Sequence, residues 1–164
     1  MKKAITLIVA VAAAVIDQVI KLVVINGLKP IGSVNIIDNL LRLTYVENKG
    51  MAFGMLANQR WIFIILTSVV IIALVIAVFK LKNQGKLFYA AAALLIGGGI
   101  GNMIDRIAYG YVIDYIQLSF FPPVCNFADY CVTAGVIVFL IYIFFFTDFL
   151  KSGNEKKAGE NAAL

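Results

Sequence analysis

Residues 61–79, WIFIILTSVVIIALVIAVF, form an unbroken apolar run without a single charged side chain. A helix of this length rises about 29 Å, which matches a bilayer hydrocarbon core about 30 Å thick. The rest of the chain has the same character, since 62% of its 164 residues are hydrophobic and only 14% are charged. Soluble domains average about 45–50% apolar and about 25% charged residues. The sequence therefore predicts an integral membrane protein.

Three further apolar runs flank this segment and are separated from it by polar stretches. The predicted transmembrane helices are 4–28, 61–79, 87–106 and 127–149. The predicted outer loops are 29–60 and 107–126, and the predicted cytoplasmic tail is 150–164. This organisation predicts one all-α membrane domain with four transmembrane helices, and it excludes a large extramembrane catalytic domain.

The first run imitates a cleavable signal peptide, because Lys2 and Lys3 precede an apolar stretch and small residues follow at 12–14. The run continues to Leu28, however, which is long enough to span a membrane. We therefore expect a retained first helix, with cleavage as the alternative. The inner segments would then hold eight lysines and the outer segments five lysines or arginines, a bias that predicts both termini in the cytoplasm.

The first outer loop is too long for a simple turn. Its segment Leu41–Glu47 alternates with a period of two and is rich in strand formers, which predicts a short strand or hairpin at the membrane surface. The following Asn48-Lys49-Gly50 is typical of a turn, since Asn and Gly tolerate a positive φ. The fold prediction therefore includes a small extracytoplasmic sheet after the first helix.

Several polar side chains are expected at one depth near the outer face. Asp17 lies about 20 Å along the first helix, and Asn102 and Asp105 lie about 22 and 27 Å along the third. Asp129 is in the first turn of the descending fourth helix, and Asp114 follows the end of the third. Because ionisable groups within a membrane are costly, their convergence predicts a functional site.

The roles of these groups differ. Asp17 and Lys21 are four residues apart on one helix face, which favours a buried ion pair that fixes helix register. Arg106 either belongs to the site or extends to the membrane interface. Asp114 and Asp129 have no cation within a helical turn, so a close pair would share one proton and could act as general acid and base on a water and a peptide carbonyl. A proton relay or a structural role remains open from the residues alone.

Composition excludes several other functions. The chain contains no His, which excludes imidazole catalysis, and Cys125 and Cys131 fit neither a disulfide framework nor a zinc site. We predict neither a metal nor a cofactor. The net charge is +5, but the basic residues lie mostly at the ends of apolar runs, as membrane topology requires, which argues against binding of nucleic acid.

Five ordered motifs cover the chain from Asp17 to about Ala134. They are Asp17-Gln18-x-x-Lys21, Asn48-x-Gly50-x-Ala52-Phe53-Gly54, Gly98-x-x-Gly101-Asn102-x-Ile104-Asp105-Arg106, Val112-x-Asp114-Tyr115 and Asn126-x-Ala128-Asp129. In these motifs the sequence resembles the lipoprotein signal peptidases (signal peptidase II). Tyr130 stands where that family usually has Ser.

The resemblance implies an intramembrane aspartyl endopeptidase of the bacterial cytoplasmic membrane, with its active site near the outer face. It would cut prolipoproteins that carry a diacylglyceryl group on the lipobox Cys, just before that Cys, and would work as a monomer in contact with membrane lipid. The implied catalytic pair is Asp114 and Asp129. The implied supporting residues are Asp17, Lys21, Asn48, Gly54, Gly98, Asn102, Arg106 and Asn126.

Two hypotheses concern the substrate. The acyl chains would stay in the bilayer between helices, with the Gly-rich end of the third helix and the aromatic face of the fourth as walls. The loop from Asn48 to Met55 would close over the peptide, with Gly50 and Gly54 as hinges. The rival functions are a small transporter or proton-coupled exchanger that uses intramembrane Asp residues, and a non-catalytic membrane assembly factor.

Overall fold

The computed structural model describes residues 1–50 and 59–146, which form four helices and one antiparallel sheet. The helices are α1 (Lys2–Gly27), α2 (Arg60–Lys80), α3 (Lys86–Ala108) and α4 (Phe127–Phe146). The strands are β1 (Ser33–Ile37), β2 (Leu41–Asn48), β3 (Val112–Leu118) and β4 (Phe121–Cys125). All four helices are long and apolar enough to cross a membrane. The predicted fold class, a mostly helical membrane protein with a small sheet, is confirmed.

Four sequence predictions fall on residues whose structure is not described. Gly54 and the proposed closing segment beyond Gly50 lie outside the described residues. The predicted end of the fourth helix at residue 149 and the tail 150–164 lie outside them as well.

Helix α3 is the centre of the bundle, since α1, α2 and α4 all pack against it. Small side chains allow this close packing, as is usual between transmembrane helices. A Cβ atom at Gly97 would lie 2.7 Å from the carbonyl oxygen of Ala10 on α1. A Cβ atom at Gly98 would lie 2.5 Å from the carbonyl oxygen of Ala128 on α4. The close approach of α1 and α4 to α3 therefore requires glycine at these two positions.

We expect Gly98→Ala to lower the free energy of unfolding by about 1–3 kcal/mol, because the new methyl group would collide with α4 backbone that cannot move alone. The matched control is Gly27→Ala, where a Cβ would meet no atom within 4 Å. That variant should be as stable as the parent or slightly more stable, since Ala favours a helix over Gly. Thermal unfolding in detergent measures both, and equal stability of the two variants would contradict the prediction.

The sheet has the order β1-β2-β3-β4, and all its neighbours are antiparallel. The predicted strand at 41–47 is part of β2. The second half of the sheet, β3 and β4, comes from residues 107–126, which the sequence analysis treats as a loop. The sequence patterns of β3 and β4 do not indicate strands, for two reasons. Val112–Tyr115 is buried at every position, so it does not alternate, and β4 contains Pro122 and Pro123, which fit only an edge strand.

An apolar cluster joins the sheet to the bundle. Val24 and Leu28, at the end of α1, pack with Ile113 and Tyr115 of β3. This packing places β3 over the ends of the helices and thereby determines where Asp114 lies. The predicted turn at 48–50 begins with a local hydrogen bond, in which Gly50 N donates to Asn48 Oδ1 over 3.0 Å.

Candidate active site

Five polar residues from four elements meet at the end of the bundle under the sheet. Asp114 is on β3, Asn48 ends β2, Asn102 is on α3, and Asn126 and Asp129 begin α4. Asp114 and Asn126 are almost fully buried, with exposed fractions of 1% and 0%. The two carboxylates that the sequence singles out therefore belong to one hydrogen-bonded cluster.

Asn126 contacts both carboxylates. Its side-chain Nδ2 donates to Asp114 Oδ1 over 2.6 Å, and its backbone N donates to Asp129 Oδ2 over 3.1 Å. In return, Asp129 N donates to Asn126 Oδ1 over 2.9 Å. This reciprocal pair, three residues apart, has the geometry of a capping box at a helix start. The Asn126-x-x-Asp129 spacing therefore both begins α4 and links the two carboxylates.

Asn102 connects Asp129 to a buried cation. Lys21 Nζ donates to Asn102 Oδ1 over 3.0 Å, and Asn102 Nδ2 donates to Asp129 Oδ1 over 2.7 Å. An ammonium group can only donate hydrogen bonds, so it determines which way the amide of Asn102 points. Both oxygens of Asp129 are therefore held by N–H donors.

Asp114 is held by amides from two other elements. Asn48 lies diagonally across the β2–β3 ladder, where Val46 is paired with Asp114, and its Nδ2 donates to Asp114 Oδ2 over 2.8 Å. Burial of the Asp114 carboxyl, reinforced by the nearby charge of Asp129, raises its pKa to about 7. The hydrogen bonds from Asn48 and Asn126 oppose this shift. A pKa of about 7 leaves the Asp114 carboxyl partly protonated around neutral pH.

Lys21 forms the predicted ion pair with Asp17 and a second one that the sequence analysis does not predict. Its Nζ lies 2.8 Å from Asp17 Oδ2 and 2.8 Å from Asp105 Oδ2. The side chains of all three residues are at most 2% exposed. One cation between two buried carboxylates joins α1 to α3 directly beside the site.

The same acids also accept hydrogen bonds from backbone groups next to Asp114 and Asp129. Ala128 N at the start of α4 donates to Asp17 Oδ1 over 3.0 Å, and Ile113 N, next to Asp114, donates to Asp105 Oδ2 over 3.0 Å. Tyr115 adds a third link, since its hydroxyl accepts from Phe127 N over 3.2 Å. Asp17 and Tyr115 thus accept hydrogen bonds from two N–H groups that the start of α4 leaves without a partner inside the helix.

Two further residues accept hydrogen bonds from backbone N–H groups of the cluster. Asp105 is predicted in the polar layer but without a partner or role, and Tyr115 is not singled out, although both lie inside the quoted motifs. Their partners are residues of other elements, so spacing along the chain alone does not reveal the contacts.

Arg106 and Gly98 lie beside the cluster. The Arg106 guanidinium stacks over the Phe63 ring at 4.9 Å, and its Nη1 is 3.4 Å from Asn102 O. Arg106 forms no ion pair with any described residue. Gly98 touches the backbone of Ala128, one residue before Asp129. Arg106 therefore belongs to the rim of the site, and Gly98 lets α4 approach it.

A cavity of about 390 Å³ leads away from Asp129 between α2, α3 and α4. Asn102, Arg106 and Asp129 form its polar end. Its apolar walls include Leu66, Val70, Ile71, Leu95, Gly99 and Val132. The cavity can hold an extended apolar group with one polar end at the carboxylates.

The described residues contain no group of three or more His, Cys, Asp or Glu that could hold a metal ion. Cys125 and Cys131 are free thiols. Burial, with the charges of Asp129 and Asp114, raises the pKa of Cys125 to about 11, so this thiol is protonated near neutral pH.

Comparison with known proteins assigns the chain to a family. The model of the family described as "Signal peptidase (SPase) II" matches residues 9–145. The lipoprotein signal peptidase of Caldanaerobacter subterraneus is 46% identical, over 80% of this chain and 90% of that protein. The lipoprotein signal peptidase of Halothermothrix orenii is 40% identical, over 83% and 92%.

A solved structure described as "Bacterial membrane enzyme structure by the in meso method at 1.9 A resolution" superimposes with a TM-score of 0.78 at 34% identity, covering 88% of this chain and 95% of that one. A second structure, at 2.3 Å resolution, also gives a TM-score of 0.78 at 33% identity, covering 85% and 87%. Sequence and fold therefore agree, and the chain belongs to the signal peptidase II family, a family of proteases in bacterial membranes.

Proposed function

We propose that this protein removes the signal peptides of diacylglyceryl-modified prolipoproteins by cutting just before the lipidated lipobox Cys, and that Asp114 and Asp129 catalyse the cut. Lipoprotein substrates follow from the relatives, which are lipoprotein signal peptidases. The two-carboxylate reaction rests on one observation: a single residue, Asn126, donates hydrogen bonds to both carboxylates. Two acids held together in this way suit hydrolysis with a shared proton.

The two carboxylates have different roles in this reaction. Protonated Asp114 donates a hydrogen bond to the carbonyl oxygen of the peptide bond that is cut, and ionised Asp129 takes a proton from the attacking water. The water oxygen bonds to the carbonyl carbon and gives a tetrahedral intermediate. When the C–N bond breaks, the proton on Asp129 passes to the leaving amine. Asp129 suits the ionised role because it lies in the first turn of α4, where the helix dipole favours negative charge.

The remaining cluster residues hold the pair in place. Asn126 and Asn102 orient the oxygens of both carboxylates, and Lys21 orients Asn102. We propose that the enzyme works as a monomer, because described residues of the same chain already donate a hydrogen bond to each oxygen of both carboxylates. We also propose that both termini are cytoplasmic and that the site lies near the outer face, because the lysines of α1–α3 that lie outside the site are concentrated at the opposite end of the bundle.

The cavity beside Asp129 is the proposed path for the apolar part of the substrate. Gly99 of α3 belongs to its wall, as the hypothesis of a Gly-rich wall requires. On α4 the wall is formed by Val132 and Thr133, and the aromatic residues of α4 are not part of it. An apolar chain can lie here between the helices while its polar end reaches Asn102 and Asp129.

The test is cleavage of a synthetic lipobox peptide by the purified chain in detergent. We expect cutting just before the Cys when this residue carries diacylglycerol, and at most slow cutting of the same peptide without lipid. Products identified by mass spectrometry establish the position of the cut. If the folded protein leaves the lipidated peptide intact, the proposal is wrong and a transporter or assembly role gains weight.

The proposed proton on Asp114 predicts the pH dependence. Because the pKa of Asp114 is about 7, its protonated fraction falls as the pH rises through this value, and kcat/KM for the peptide should fall with it. Asn48 stabilises the ionised form of Asp114, so Asn48→Ala should move this alkaline limb upward by about one pH unit.

The matched control is Asn26→Ala, which removes an exposed amide that bonds only its own helix at Leu22 O. Its pH profile should coincide with that of the parent. A downward shift for Asn48→Ala, or the same shift in both variants, would contradict the assignment of the alkaline limb to Asp114.

A further inference from the structure

A second cavity lies at the opposite end of the bundle, where α1 and α3 begin side by side. Its volume is about 480 Å³, and its wall is almost entirely apolar, with Ile5, Val9 and Leu94 among the lining residues. Lys2 and Lys86, the first residues of the two helices, are also among the lining residues. The cavity therefore has an apolar wall and two lysines at the end where the helices begin.

This end of the bundle is strongly positive over the described residues. Its lysines are Lys2, Lys3, Lys80, Lys82 and Lys86. The acidic residues in the described part of the chain all lie in the sheet region or in the site at the other end, and they are Asp17, Asp38, Glu47, Asp105, Asp114 and Asp129. Among the described residues, no carboxylate neutralises this group of lysines.

The lysines at this end differ in the hydrogen bonds that their ammonium groups donate. Lys3 Nζ donates to Phe79 O over 2.8 Å and so joins α1 to the end of α2. Lys2 Nζ is 3.4 Å from Gln84 O and 5.7 Å from the centre of the Tyr89 ring, which leaves it free to make stronger bonds. Lys86 forms no hydrogen bond or ion pair with any described residue. The two lysines at the cavity therefore have donors available for a ligand.

We propose that this cavity binds one anionic phospholipid, whose phosphate lies between Lys2 and Lys86 and one of whose acyl chains follows the apolar wall. A basic pocket between transmembrane helices is suited to an anionic headgroup, and each nearby lysine adds to the attraction. The N-termini of α1 and α3 add positive potential at the same place. This site is remote from the carboxylates and does not depend on the proposed peptidase reaction.

Native mass spectrometry of the detergent-solubilised full chain tests the proposal, with phosphatidylglycerol and phosphatidylcholine of identical acyl chains as probes. We expect one phosphatidylglycerol molecule to be retained, about tenfold or more in preference to phosphatidylcholine. Lys2→Gln/Lys86→Gln should abolish this preference. The control Lys80→Gln/Lys82→Gln removes the same charge from the same end of the bundle and should keep it.

A wall variant separates the cavity from general charge attraction. Ala90 lines the cavity and is exposed, so Ala90→Phe should fill the space without disturbing the fold and should weaken retention of phosphatidylglycerol while both lysines remain. The proposal fails if both double variants lose the lipid equally or if Ala90→Phe retains it fully. It also fails if phosphatidylcholine is held as well, or if a dimer without lipid is observed, which would assign the cavity to a second copy.

Discussion

Asp114→Asn and Asp129→Asn should each reduce kcat/KM for cleavage of the lipidated lipobox peptide by about 10³-fold or more. Asn has nearly the same shape as Asp, so the packing of these positions is retained. In the proposed reaction, the change at Asp114 removes the acidic proton for the carbonyl, and the change at Asp129 removes the base for water. In the parent, the side-chain amides of Asn126 and Asn102 donate to the two carboxylates. Each Asn variant presents these donors with an NH₂ group or with a weaker acceptor instead.

Three controls make this result interpretable. Asp38→Asn changes an exposed carboxylate in the turn between β1 and β2 and should leave kcat/KM unchanged. Thermal unfolding of each variant checks that the fold is intact. Because the two acids act as a unit, the double variant should be scarcely slower than either single variant. Turnover within tenfold of the parent in either folded single variant would exclude the two-carboxylate mechanism.

The second large effect concerns stability. Lys21→Met should lower the free energy of unfolding by about 3–5 kcal/mol, because it leaves Asp17 and Asp105 buried without their common cation. The change also removes the donor that orients Asn102, so any folded fraction should cleave slowly as well. Unfolding in detergent by heat or denaturant measures the loss.

An exposed ion pair in the same molecule provides the matched control. Lys29 pairs with Glu47 at 3.0 Å, but the two side chains are 47% and 36% exposed, so Lys29→Met should lower the free energy of unfolding far less than Lys21→Met. In the triple variant Asp17→Asn/Lys21→Met/Asp105→Asn, part of the stability lost by Lys21→Met should return, since no unpaired charge stays buried. If Lys21→Met costs no more than Lys29→Met, the buried cation is not what holds α1 to α3.

Local patterns account for much of the fold. Four helices follow from apolar runs of membrane length, and the β2 strand follows from its alternation, because hydropathy and period are properties of neighbouring residues. The Asp17–Lys21 ion pair is also predictable from the sequence, since residues four apart in a helix share a face. The layer of polar groups near one end of the bundle followed from counting residues along each helix.

The tertiary structure decided what the patterns could not show. Val112–Tyr115 of β3 is buried on both faces and β4 is an edge strand with two prolines, so neither has a readable strand pattern. Asp114 is therefore predicted in the outer loop after the third helix, whereas the structure places it on β3. The second acid at Lys21, the amide orientation of Asn102 and the link from Asp105 to Ile113 are contacts between distant elements. The sequence by itself determined the membrane fold and the identity of the polar residues. Packing alone decided which of them share a hydrogen bond, a cation or a cavity, because hydrogen bonds and burial depend on neighbours far apart in the chain.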